Sequence, residues 1–158
     1  MRLASYASVG VATILLVGKL IVWWRTDSLA MLSSFTDSFF DMMMSFVNML
    51  AVTYALKPAD NDHRFGHSSI EDLAGLAQCA FIFAAMAMII LQSIERLANP
   101  HTVLTDPELG IGISLVAMVL TTILVAFQTY VTRRTKSLVI AADRMHYAGD
   151  ILFNLGVL

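Results

Sequence analysis

Ser33-Ser34-Phe35-Thr36-Asp37-Ser38-Phe39-Phe40-Asp41-Met42-Met43-Met44 places two carboxylates in the middle of an apolar segment that runs from about Leu29 to Leu56. Such a segment is long enough to cross about 30 Å of hydrocarbon as a helix, which takes roughly 20 residues. A charge at the bilayer centre costs roughly 2.5 to 3.5 kcal/mol on insertion scales, so Asp37 and Asp41 must face protein or water and must have a partner. Their i, i+4 spacing stacks both carboxylates on one helix face, about 6 Å apart. There they repel one another unless a cation or protons lie between them.

The rest of the chain agrees with a membrane setting. Of its 158 residues, 58% are hydrophobic and 14% charged, with a net charge of -2 and a mean hydropathy of +0.72. That composition excludes an ordinary soluble domain. Cys79 is the single cysteine and sits inside an apolar segment, which excludes both a disulfide framework and a Cys-rich metal cluster. Arg2 is followed by an apolar run as long as a membrane span, with no small-residue cleavage pattern after it, so it reads as a retained first helix rather than a signal peptide.

The expected fold class is all-α, a polytopic transmembrane bundle. Five segments have spanning length: residues 3–24, 29–56, 73–97, 109–131 and 138–158. Trp23 and Trp24 close the first as an interfacial anchor, and Lys19 is near enough to that end to snorkel outward. Pro58, Pro100 and Pro107 fall between segments, as helix punctuation. Arg2, Lys57, Arg64, Arg133, Arg134 and Lys136 fall on one side against Arg25 and Arg96 on the other, which predicts a cytoplasmic N-terminus. The fifth segment reaches Gly156-Val157-Leu158 without a charged or aromatic marker, and the chain reads as a truncated N-terminal transmembrane domain. No internal repeat or low-complexity tract interrupts it.

The fifth segment carries a second polar pair, His146 and Asp150, again at i, i+4. Counting 1.5 Å per residue from Leu138 puts them roughly 12 and 18 Å deep, and the same count from Leu29 puts Asp37 and Asp41 at about the same depth from the opposite face. One intramembrane His or Asp is readily satisfied by a neighbouring helix, whereas four at one level form a ligand set. Three carboxylates and one imidazole suit tetrahedral Zn(II) or a similar divalent ion. Asp143 and Arg144, less than two turns from the helix start, are read as pairing or snorkelling, with a direct metal role for Asp143 the lesser alternative.

In the connection Pro58-Ala59-Asp60-Asn61-Asp62-His63-Arg64-Phe65-Gly66-His67, the residues Asp60, His63 and His67 supply a carboxylate and two imidazoles within one loop. They could hold a metal completed by water, or remain solvated; Asp62 is left outside the set. The methionines number ten, but Met42, Met43 and Met44 are consecutive and point around the helix, which is packing rather than a copper site. Asn48, Gln78, Gln92 and Asn154 are intramembrane polar residues for helix-to-helix hydrogen bonding.

Asp37-x-x-x-Asp41 on the second segment, with Ala142-Asp143-x-x-His146-Tyr147-x-x-Asp150 on the fifth, resembles the cation diffusion facilitator family in its bacterial zinc and ferrous-iron efflux branch. The resemblance runs the length of the chain. It implies a transport site at Asp37, Asp41, His146 and Asp150, and a second zinc site at the loop residues Asp60, His63 and His67. It also implies a sixth helix, a cytoplasmic metal-binding domain, a homodimer, and residence in the bacterial inner membrane among its lipids. Ser68-Ser69 stand where that resemblance leads one to expect Gly-Lys.

The function expected is divalent-cation efflux by exchange with protons. Zn(II) is the first candidate, with Fe(II), Cd(II) and Mn(II) open. Three carboxylates and a neutral His around one divalent ion carry a net -1, and so does the same set with two protons in its place. An empty, fully ionised set would carry -3 in a low dielectric, so loss of metal must be coupled to protonation. His146 is the natural proton carrier, being the ligand type that ordinarily titrates near pH 6.5. A metal-dependent hydrolase or intramembrane aspartyl protease is the rival. It is disfavoured because no HExxH or nucleophile motif accompanies the pairs. A binding subunit that does not transport is the third reading.

Overall fold

The computed structural model describes residues 1–27, 29–60, 64, 66–98 and 107–157. They form an all-α transmembrane bundle of five helices: α1 (Arg2–Thr26), α2 (Leu29–Ala55), α3 (Ser69–Ala98), α4 (Pro107–Thr135) and α5 (Leu138–Val157).

Local chemistry sets the ends. Asp27 adopts a left-handed φ of 46° and its N–H returns to the Trp23 carbonyl, closing α1. Pro58 cannot continue α2, whereas Pro107 opens α4 at the one helical position where a missing N–H costs nothing. Helix α3 begins four residues before the expected Leu73, because Glu71 and Asp72 favour the positive end of the helix dipole in its first turn. Helix α4 runs four residues past the expected Val131, with Arg133 and Arg134 on its negative end. Lys136, with φ 54°, turns the chain, and Ser137 then receives the Ile140 N–H on its hydroxyl to start α5.

Among the described residues three helices are long and apolar enough to cross a membrane: Arg2–Thr26, Ser69–Leu91 and Ile111–Thr135. The two others, α2 and α5, are those diluted by ionisable and amide residues. The helix pairs run round a ring, α1 against α2, α2 against α3, α3 against α5, α5 against α4 and α4 against α1, with a slighter contact across it between α2 and α5. The outer surface is apolar, with Phe83, Leu91, Ile123 and Leu152 exposed, while Ser8, Ser45, Asn48, Gln78, Gln128 and Asp143 are buried. Lipid drives this arrangement: backbone groups close within helices, and polar side chains turn inward to find one another. A small apolar cluster of Ala51, Val52, Ala74 and Val139 lies at the end where α2 finishes and α3 and α5 begin.

Candidate metal centre

Helices α2 and α5 bring Asp41, His146 and Asp150 together. One ligand atom from each lies within 4.8 Å of the others. His146 Nε2 and Asp41 Oδ1 share a hydrogen at 2.9 Å, and Asp150 Oδ2 stands 3.7 Å from the same nitrogen. Donors held about 2.0 to 2.1 Å from a tetrahedral zinc ion are about 3.3 to 3.4 Å from one another, so the observed separations bracket what such an ion needs. The trio is partly buried: side-chain exposure is 11% for His146, 23% for Asp41 and 37% for Asp150. Phe81 of α3 meets the His146 ring edge to face at 6.1 Å.

Asp37 stands apart from the trio. It lies one turn before Asp41 on α2, exposed, and interacts electrostatically with Asp41 and Lys19. Lys19 does not simply reach outward. Its ammonium donates to the Ser34 carbonyl at 3.3 Å, half-buried and within the field of Asp41, Asp37 and Asp150. An amine therefore borders the acidic centre.

Asp143 neither pairs with Arg144 nor snorkels. It is 4% exposed and its carboxylate accepts from Ser8 Oγ and Gln128 Nε2, both at 2.7 Å, and from Asn48 Nδ2 at 3.2 Å. Asn48 also donates to Gln78 at 3.1 Å, and Ser45 meets Tyr147 at 2.8 Å. Ser8 and Gln128 escape a reading of the sequence that looks for charges, although Gln128 lies in a spanning segment and belongs with Asn48 and Gln78 by the same rule. The side chains of Gln92 and Asn154 lie outside the described residues.

In the loop, His67 is buried at 4% exposure, packs edge to face on Tyr54 at 4.8 Å and holds Nε2 3.6 Å from Asp60 Oδ2. His63 and Asp62 lie outside the described residues, so two of the three expected loop ligands are placed together and the third is not placed.

Comparison with known proteins bears on this geometry. Residues 5–158 match the cation efflux transmembrane domain. The chain is 42% identical over 155 residues to the cation-efflux pump FieF of Salmonella choleraesuis (strain SC-B67), covering 98% of this chain and 51% of that protein. It is also 42% identical over 157 residues to the protein of the same name from Yersinia pestis (strain Pestoides F), covering 99% of this chain and 52% of that one. The chain thus spans about half the length of the curated relatives it matches. With a domain match over nearly every residue and five membrane helices around an inward-facing polar set, the chain belongs to the cation diffusion facilitator family.

Proposed function

We propose that this protein moves a divalent cation, Zn(II) in the first place, across a membrane in exchange for protons, through a centre made of Asp37, Asp41, His146 and Asp150. The observation that carries the reading is the convergence of Asp41, His146 and Asp150 from two helices to within 4.8 Å. The relatives named as cation-efflux pumps favour export. His146 Nε2 explains the exchange. His146 Nε2 and Asp41 Oδ1 share a hydrogen across 2.9 Å, and a metal binding Nε2 must displace it. Proton and cation compete for one atom, and Asp37 completes the four ligands by a side-chain rotation of one helical turn's reach.

The proposal extends to orientation and assembly. The N-terminus is cytoplasmic by the distribution of Lys and Arg. The protein works as a homodimer in a bacterial inner membrane. Flux into reconstituted vesicles tests the reading. Zinc accumulation above that of protein-free vesicles supports it, binding without accumulation would leave a metal-binding subunit, and hydrolysis of a supplied peptide or ester would point to an enzyme.

Asp60, His63 and His67 are proposed as a second, surface metal site. Replacing both His63 and His67 with Ala is expected to remove one bound zinc per chain while flux stays within about twofold, because the loop lies at the membrane surface rather than at the midplane. Equilibrium dialysis and vesicle flux on the same preparation check both halves; loss of flux at normal expression would put the loop on the pathway.

A further inference from the structure

Between the metal centre and the face at which α1 begins, the α2–α5 seam carries two further polar contacts. Ser45 and Tyr147 meet at 2.8 Å, and Asn48 donates to Asp143 at 3.2 Å. All four side chains are buried. The second contact widens into a layer that touches every helix, since Asp143 also accepts from Ser8 of α1 and Gln128 of α4, and Asn48 reaches Gln78 of α3. Counted at 1.5 Å per residue from the helix ends nearest that face, these five residues lie roughly 7 to 14 Å in. Asp41 and Asp150 lie deeper, at roughly 18 to 21 Å, while His146, at roughly 12 Å, stands at the inner edge of the layer itself.

We propose that this layer, keyed by Asp143, is the seal that closes the metal centre to the face at which α1 begins, and that its hydrogen bonds part to admit a cation from that side. The direction of traffic rests on the transport reading above. The two helices that hold the ligands are the two that hold the seal, so any movement that exposes Asp41 and His146 along the α2–α5 seam must separate Ser45 from Tyr147 and Asn48 from Asp143. Direct packing between α2 and α5 is slight, which leaves these polar contacts to hold the seam shut. A carboxylate is a costly choice for static glue in a membrane, where an amide would serve. The layer is also incompletely satisfied: Asn48 Oδ1, Gln78 Nε2 and Gln128 Oε1 are buried with no partner among the described residues.

The test is access rather than flux. In the full-length protein in inside-out vesicles, with Cys79→Ser and any cysteine beyond residue 158 also replaced, Ser38→Cys, buried three residues before Asp41 on the same face of α2, places a thiol on the metal centre's side of the seal. A membrane-impermeant thiol reagent is then applied at the face where α1 begins. Labelling is expected to be slow with Asp143 and Asn48 intact and at least about tenfold faster in Asp143→Asn or Asn48→Ala, the shift that loss of one charge-assisted hydrogen bond gives an opening equilibrium. Zinc affinity of the centre is expected to fall less than in Asp41→Ala, because the seal residues are not themselves ligands. Unchanged labelling in both variants overturns the proposal. So does a fall in zinc affinity as large as that of Asp41→Ala, which would make Asp143 a ligand. If Asp143→Asn does not accumulate, Asn48→Ala carries the same reading. Labelling needs neither metal nor flux, so a failure of the transport reading leaves this result intact.

Discussion

Asp41→Ala and Asp150→Ala are each expected to abolish zinc binding at the midplane, measured by calorimetry on protein whose loop ligands His63 and His67 are also replaced. Asp41 shares the 2.9 Å contact with His146, and Asp150 closes the other side of the same nitrogen at 3.7 Å. Losing outer partners of a metal site costs roughly 10- to 100-fold in affinity, and losing a direct ligand costs more where little water can substitute. The change should therefore exceed about 100-fold for either variant. Asp37→Ala tests the fourth position separately: it stands one turn from the trio, so a loss as large as that of Asp41→Ala means that Asp37 swings in when metal binds. Zinc affinity unchanged in Asp41→Ala and Asp150→Ala would remove the centre altogether.

Replacing the single nitrogen ligand should change which ion is carried. His146→Asp makes the set all-carboxylate, which suits harder ions such as Mn(II) and gives up the preference for Zn(II) that imidazole supplies. A shift of at least about tenfold in the Zn(II) to Mn(II) flux ratio is expected, comparable to the effect of one well-placed ligand on a metal site. The same change removes the one imidazole from the set, so the pH dependence of flux should move toward that of carboxylates. Flux of both ions across a pH series reads the two effects together. If His146→Asp keeps the wild-type ion preference and pH profile, His146 is a bystander and the exchange argument falls with it.

The helices were legible in the sequence because lipid imposes one requirement on every span: enough apolar length with closed backbone hydrogen bonds. The depth of Asp41, His146 and Asp150 followed from a fixed helical rise, which is why two pairs more than a hundred residues apart could be put at one level before any packing was known. Depth alone does not resolve rotation about the helix axis or a one-turn offset, so Asp37 read as level with the others although it stands outside the trio. The place of Asp143 is hidden in the sequence for a different reason. Five residues into α5 a carboxylate has two cheap solutions, a neighbouring Arg144 or the membrane surface, and the sequence does not reveal that Ser8, Asn48 and Gln128 arrive from three other helices to meet it. Lys19 shows the same limit: its place near the end of α1 suggests a reach outward, but the Ser34 carbonyl beside the acidic face receives it.

The central claim is that a divalent cation and protons exchange at one centre. It is tested most directly by following zinc and pH together inside vesicles that hold the full-length protein, with and without Asp41→Ala. The account predicts that zinc entering the lumen drives protons out in fixed proportion, and that both movements vanish together in the variant. Zinc movement with no accompanying proton movement, or coupled movement that survives Asp41→Ala, would contradict it.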